Sequence, residues 1–545
     1  MTSIDVKRID HHGLVAGIID DLQIPEIIDH CLPPDGQENV TYGEAVKAMI
    51  MNGLGFTNRP ISLTPQFFEN LPLSDLFGHE VYPEDLNRHK LGRTLDALWE
   101  FGCEALFTKI AYNACHLEDI QCSFISEDTS TLSVTGEYDQ MTDEQEIHVT
   151  HGYSKDHRPD LKQVVHELMV AQDGGVPLLT KCWDGNTDDH QVFRERAKNL
   201  VDNFQYADDL RVLIADSKLY AKSNSKNLAS IPFITRVPGT LNLEKKITEQ
   251  ALQHPEDWAP LNGANSCQRF DLCHYGIEQR WLVIFSHERF PGVSKTVAKE
   301  RDKENEKIAK ELFHLQAERF DSQEKALEAL EKLRAKWRYH KLRTYDFTEH
   351  RRYGSRGRPS RNSTPQKIVW QINAEYEVDQ EAVQRTEQKR ACFVLCSNVG
   401  TDKLSDVQLL AGYKGQSKVE RGYRFLKDKA FFVSSLYVEK SSRIEALIMI
   451  MTLALLVYSV GQRRLRLELW RQNETLPNQI NQPTQRITLR WSFQMLEGIN
   501  VVTLDKGDEK ERHMDGLTSL RIKILKFFGE NVCSKYGLSP ATESG

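Results

Sequence analysis

Breaking a phosphodiester at neutral pH requires a deprotonated attacking oxygen and relief of charge on the phosphate. Two magnesium ions about 4 Å apart supply both, and such hard cations take oxygen ligands. Three carboxylates in this sequence suit that work: Asp128, Asp216 and Glu420. Asp128 follows Phe124-Ile125 and Asp216 follows Val212-Leu213-Ile214, apolar runs that read as buried strands. A strand-end aspartate also caps helices and forms turns, so the case needs the third acid. Around Glu420, residues Tyr413, Gln416, Glu420 and Lys427 are separated by 3, 4 and 7 positions. Those steps set all four along one face of a single helix, expected from about Ser405 through Lys427. Val419, Tyr423, Leu426 and Ala430 form the adjacent stripe that would pack on a sheet.

The elements that must position these acids follow in order. Cys122 to Asp128 reads as a short strand. Leu161 to Val170 and Val176 to Trp183 read as two strands joined by Asp173-Gly174-Gly175, a hairpin signal. A helix is expected from Asn186 to about Asn203, then strands ending at Asp216 and covering Pro232 to Val237. For about 150 residues thereafter regularity is weaker. Two charged helices stand out, Thr296 to Arg319, with Ile308, Leu312 and Leu315 as its stripe, and Ser322 to Trp337. Asp321 and Glu324 make a capping box between them. Strands resume at Lys367 to Val378 and Arg390 to Ser397, and a buried helix is expected over 444–460.

Between Arg334 and Arg361 there are ten Lys or Arg against two acids, with Trp337, Tyr339, Tyr345 and Tyr353 interleaved. This is the strongest local basis for contact with nucleic acid. Within it, Arg356-Gly-Arg358-Pro resembles the core of an AT-hook, whose extended Arg-Gly-Arg lies in a narrow minor groove.

Three strands followed by alternating helices and strands is similar to the ribonuclease H-like fold. The helix bearing Glu420 resembles the signature of bacterial insertion-sequence transposases of the DDE type: Tyr, two residues, Arg, three residues, Glu, six residues, Lys. Tyr413, Glu420 and Lys427 match it, and Gln416 stands where that pattern has Arg. The Thr-rich stretch after Asp128, the Ala215-Asp216-Ser217 ending, and the stretch from His151 to Asp160 also resemble these enzymes. The resemblance spans about residues 120 to 470. It implies that Asp128, Asp216 and Glu420 hold two Mg²⁺ ions, with Mn²⁺ as a substitute, and that Tyr413, Gln416 and Lys427 face DNA phosphates. It further implies a Mg-dependent endonuclease and strand transferase acting on double-stranded DNA, at transposon inverted repeats and at target DNA. Such enzymes work as homodimers in the cytoplasm, nucleoid-associated when on DNA. The alternatives are a catalytically inactive DNA-binding repressor and a related ribonuclease H-like nuclease.

The expected architecture is α/β. A helical N-terminal domain (1–118) reads ends or dimerises; the catalytic core comes in two parts (119–240 and 390–475). An insertion (241–389) carries a helical hairpin and the basic patch, and 476–545 forms a polar tail with a short hydrophobic segment, Leu520 to Phe528. At 545 residues the chain exceeds a single core. With 78 acidic against 70 basic residues its net charge is −8, so DNA contact must come from local patches. The first 60 residues carry nine acids and four bases, a poor surface for phosphates. The longest apolar run, Ala446 to Val460, is 15 residues, shorter than the about 20 of a membrane span, so no membrane partner is expected. Ten cysteines lack C-x-x-C pairs and read as reduced thiols. His11-His12 reads as exposed and inert.

Overall fold

The computed structural model describes all residues except 1–2, 35, 37, 58–59, 137, 139–145, 189–190, 193–194, 197–209, 355–363, 429–439, 507–509 and 540–545. Two compact units divide the chain: Met1–Thr235, Tyr275–Ile277 and Gln408–Gly545 make one, and Arg236–His274 and Glu278–Val407 the other.

The first unit holds strands β1 (Phe124–Val134), β2 (Lys162–Ala171), β3 (Pro177–Trp183), β4 (Val212–Ala215) and β5 (Phe233–Arg236). They lie in the order β3-β2-β1-β4-β5. β2 runs antiparallel to both of its neighbours, β1 and β3, while β4 runs parallel to β1 and β5 parallel to β4. This is the ribonuclease H-like order, in a mixed α/β fold as expected. The β2–β3 turn closes on Gly174 and Gly175 at φ of +81° and +73°, conformations open to glycine at little cost. Most of the helix expected after Asn186 lies outside the described residues.

β1 is longer than expected. It does not stop at Asp128 but pairs with β2 from Ile125↔Ala171 through Val134↔Lys162. The Thr-rich stretch is β-branched and fits a pleated, buried surface, so the strand continues through it.

Helices α1 (Asp406–Gly415), α2 (Ser417–Leu426) and α3 (Ser441–Arg471) follow. The single helix expected across Gln416 is therefore two. Gln416 N bonds Tyr413 O and Val419 N bonds Gln416 O, each one residue tighter than an α-turn. α3 contains the expected buried segment. It is the one described helix long and apolar enough to cross a membrane, and 89% of its apolar window is buried inside the fold.

N-terminal helices pack with α3 in one core that reaches from Ile9 to Tyr536. Helix Tyr42–Leu54 forms as expected, closed by a Thr41–Glu44 capping box. Two expectations at the termini fail. Residues 476–545 are not a polar tail: strands Asn500–Asp505 and Lys510–Asp515 form a sheet with Ser3–Arg8, which also breaks the all-helical N-terminus. Tyr536 is wholly buried, its hydroxyl accepting from Leu14 N at 3.0 Å and donating to Asp10 O at 2.6 Å. The short hydrophobic segment Leu520 to Phe528 does pack, with Ile524, Leu525, Phe527 and Phe528 in the core. His11 and His12 are buried, not exposed. His11 Nε2 lies 3.0 Å from Leu54 O and its ring stacks on Phe493 at 4.3 Å. Burial lowers His11 to about 4 and drives His12 well below the usual histidine range.

The second unit holds strands Ala259–Asn262, Asn265–His274, Ile277–Ser286 and Cys392–Ser397, neighbours in the reverse of that order. The first three fall where no regularity was expected, although exposed Arg269 and Asp271 alternate with half-buried Phe270 and Leu272. Helices Phe290–Ala317 and Gln323–Arg334 bury Leu312, Leu315 and Leu330 against Ile372 of a hairpin, His340–Arg352 with Lys367–Val378. The cap is Ser322, whose side chain accepts from Lys325 N; Asp321 instead pairs with Lys367 at 2.6 Å. Helix Gln380–Ala391 takes in Arg390, expected as the start of a strand.

Candidate active site

Ser126 of β1 pairs with Ile214 of β4 in the parallel ladder. Two residues on along both chains stand Asp128 and Asp216. Strand side chains alternate, so Asp128 shares the sheet face of Ser126, while Asp216 is the first residue past the end of β4. Asp216 follows the last residue of β4, where its Oδ1 accepts from Lys218 N at 2.8 Å and its main-chain oxygen accepts from Thr235 Oγ1 at 2.7 Å. Those bonds fix the turn that carries the carboxylate. Asp128 Oδ1 accepts from Thr129 N at 2.8 Å.

The same face is covered by α2. Val419, Gly422, Tyr423 and Leu426 are its buried stripe, and Glu420 is exposed on the flank beside Tyr423. The Tyr423 hydroxyl lies 2.7 Å from His166 O and 3.0 Å from Asp128 O, its one proton divided between them. Glu420 is three residues before Tyr423, so its Cβ stands about 5–6 Å from the residue that touches Asp128. α1 is pinned to the same strand: Gln172 Nε2 donates to Ser126 Oγ at 2.9 Å and to Gly412 O at 2.7 Å. A Cβ at Gly415 would come within 2.0 Å of Gln172 Oε1, so any larger residue there would displace the Gln172 amide. Tyr423 and Gln172 were missed as site residues. In the sequence Tyr423 is one more member of an apolar stripe, and nothing local marks Gln172.

Of the residues expected to face DNA, Lys427 pairs with Asp156 at 2.7 Å. Asp156 belongs to the His151–Asp160 stretch, whose Lys155 Nζ donates to Thr129 O at 2.6 Å and lies 2.8 Å from Thr129 Oγ1. That loop is thereby laid against β1 immediately after Asp128. Tyr413 is half-buried near the end of α1, and Gln416 is buried at the break between the helices. Arg356 and Arg358 lie outside the described residues. In the basic patch, Tyr339 is buried, its hydroxyl donating to Glu300 at 2.6 Å, whereas Tyr345 is exposed. Tyr339 therefore belongs to the second unit's core, against the expectation of an interleaved aromatic surface.

Behind Asp128, on the opposite face, Glu127 and Glu167 are buried with Arg196. Arg196 binds Glu167 through Nε at 2.6 Å and Nη2 at 3.0 Å, and Trp183 Nε1 donates to Glu167 at 2.8 Å. Burial first, and the Glu167 charge second, hold the Glu127 carboxyl well above the usual range. His166 is lowered to about 3 by burial and then by the Lys427 charge, so it stands neutral beneath Tyr423.

As a donor set, Asp128, Asp216 and Glu420 are all carboxylate oxygens on two adjacent strands and the helix covering them, which suits a hard divalent cation. Among the described residues, the group of three ligand atoms all within 4.8 Å of one another is instead His254, Glu256 and Asp257, all exposed. That group lies in the second unit, around a tight turn, and exposed acids commonly cluster so.

Residues 4–112 match a domain of unknown function (DUF4277). No curated protein matches the chain. Among solved structures, a piggyBac transposase synaptic complex with hairpin DNA is similar at 10% identity, covering 91% of this chain and 82% of that one. Its TM-score of 0.33 is too low to bear on the site. Residues 128–457, well over half of the chain and opening at Asp128, match the transposase DDE domain. The chain belongs to the DDE transposase family.

Proposed function

We propose that this protein is the transposase of an insertion sequence, binding its terminal inverted repeats and catalysing metal-dependent DNA cleavage and strand transfer. The observation that supports the reading is the parallel β1–β4 pairing, whose last pair, Ser126 and Ile214, lies two residues before Asp128 and Asp216, with the helix bearing Glu420 packed on β1 through Tyr423. These three residues would hold the divalent metal, Mg²⁺ or Mn²⁺ in its place. When bound, a metal pair supplies charge relief on the phosphate and an activated attacking oxygen. The chain's own part is positional: Tyr423 ties the Glu420 helix to the Asp128 backbone, and Asp216 is fixed by its turn. Tyr413 and Lys427, on or next to the two helices, would contact phosphates near the cut, with Gln416 between them. Arg356 and Arg358 would add contacts to double-stranded DNA. Two ends must meet, so the acting form would be a homodimer.

The test uses duplex DNA carrying the inverted repeats that flank the gene, with Mg²⁺, and compares wild type with Asp216→Ala and Glu420→Ala. Metal-dependent cutting at the repeat ends, lost in both variants, is the expected result. Equal binding by all three proteins with no cutting overturns the catalytic reading and leaves a repressor-like binder. Cutting with no strand transfer leaves a nuclease.

A further inference from the structure

The flank of α2 opposite Glu420 borders a pocket of about 360 Å³ within the first unit. Four cations line it, Lys418 and Arg421 from α2 and Arg463 and Arg466 from α3, against one acid, Asp173. Arg463 is matched with Asp173 at 2.7 Å. That leaves Lys418, Arg421 and Arg466 with no acid paired to them among the described residues. Lys418 donates to the main-chain oxygen of Gln172, and Arg466 Nε to Ile487 O at 2.8 Å, so both side chains are held in place. Neither bond uses the Nη groups of Arg466. Burial, and next the Arg421 charge, depresses both Lys418 and Arg466. Mutual repulsion of this kind is relieved by an anion, and none of it serves the fold. Trp470, 69% exposed, forms another part of the wall.

We propose that this pocket is a second contact for the DNA backbone, taking phosphodiester groups through Arg421, Arg466 and Lys418 on the far side of the helix from the carboxylates. The inference rests on the DNA-cleaving reading. A helix with its side chains is about 10–12 Å across, comparable with the about 12 Å major groove. A duplex that offers one phosphate to the carboxylate side can thus offer others to this side. The pocket is open and its cations are fixed at several points, which fits a run of backbone phosphates better than one small anion.

The experiment measures the affinity of the full-length protein for inverted-repeat duplex against salt, with Ca²⁺ in place of Mg²⁺ so that cleavage plays no part. For every phosphate the protein ceases to neutralise, the slope of log K against log salt becomes shallower by about 0.9. Arg421→Gln is expected to remove one such step and the Arg421→Gln/Arg466→Gln pair about two, with Arg421→Lys restoring the first. Glu420→Gln should keep the wild-type slope while abolishing cutting in Mg²⁺, which separates the two proposals. Arg421 is exposed, so its variant tests the pocket even if Arg466→Gln melts early. An unchanged slope in Arg421→Gln overturns the inference. So does weakened binding of inorganic pyrophosphate with undiminished binding of duplex, which would make the pocket a small-anion site. Failure of wild type to cut in Mg²⁺ would sink the catalytic reading and leave the slope result standing.

Discussion

The hydroxyl of Tyr423 lies 3.0 Å from the main-chain oxygen of Asp128, although the two residues are 295 positions apart in sequence. The contact joins the helix that carries Glu420 to the strand that carries Asp128, through the buried side chain of Tyr423. Tyr423 thus acts on the site through its neighbours.

Removing that hydroxyl should loosen the helix without emptying the core. Tyr423→Phe keeps the ring packed edge-on to His166 and gives up a buried hydrogen bond worth about 1 kcal/mol. DNA cleavage kinetics should show kcat lowered by about tenfold, with KM within about twofold, as for a group that positions and does not bind. Half-saturation by Mg²⁺ should rise as well. A variant with wild-type kcat and metal dependence would show that the contact is structural only.

Several of these relationships were legible in the sequence. Asp128, Asp216 and Glu420 could be picked out because each sits beside an apolar pattern of definite period, and the β2–β3 hairpin because Asp173-Gly174-Gly175 has one conformational meaning. The parallel pairing of β1 with β4, which brings the Asp128 and Asp216 segments side by side, could not be read, since it depends on contacts between strands about 90 residues apart. The break at Gln416 was hidden because Tyr413 to Lys427 keeps helical spacing straight through it. Beside the break Gly415 approaches Gln172, a tertiary contact the local spacing does not show. His11-His12 looked like a polar pair, and the rings that pack on it, Phe67 and Phe493, are remote in sequence.

Glu445 lies on α3, where its carboxylate accepts from Trp99 Nε1 at 3.1 Å, and burial raises it to about 7. Between pH 4.5 and 7 the folded protein keeps a proton that the unfolded chain has released. Stability therefore falls as pH climbs through that window and is level above it. Glu445→Gln retains an acceptor for Trp99 without the charge. The variant should match wild type near pH 4 and exceed it at pH 8 by on the order of 3 kcal/mol. Denaturant titrations across the range read this directly, and a gain independent of pH would rule out the titration as its source.

At acid pH the buried histidine pair works in the other direction. His11, lowered to about 4, stays neutral in the fold where the unfolded chain takes up a proton. Its contribution is complete above pH 6.5 and is lost as pH falls from 6.5 to 4, at about 1.4 kcal/mol per pH unit for one proton. His11→Gln can still donate to Leu54 O but does not titrate. The pH dependence of unfolding over that interval should flatten by about one proton. An unaltered acid limb would show that His11 is protonated in the folded protein.

Lys427, the cation at the end of the signature spacing, is held by Asp156 at 2.7 Å, with both side chains partly exposed. A phosphate arriving at the carboxylates would compete with Asp156 for that ammonium. Exposed pairs of this type are worth about 1 kcal/mol or less and weaken with salt. Asp156→Asn should therefore tighten duplex binding by a few-fold at low ionic strength, with the gain shrinking toward zero in high salt. The same substitution in a Lys427→Met background should have no effect on affinity, because the partner it releases is gone. If Asp156→Asn instead weakens binding in both backgrounds, Asp156 serves to hold its loop against β1, and Lys427 meets DNA without having to be released.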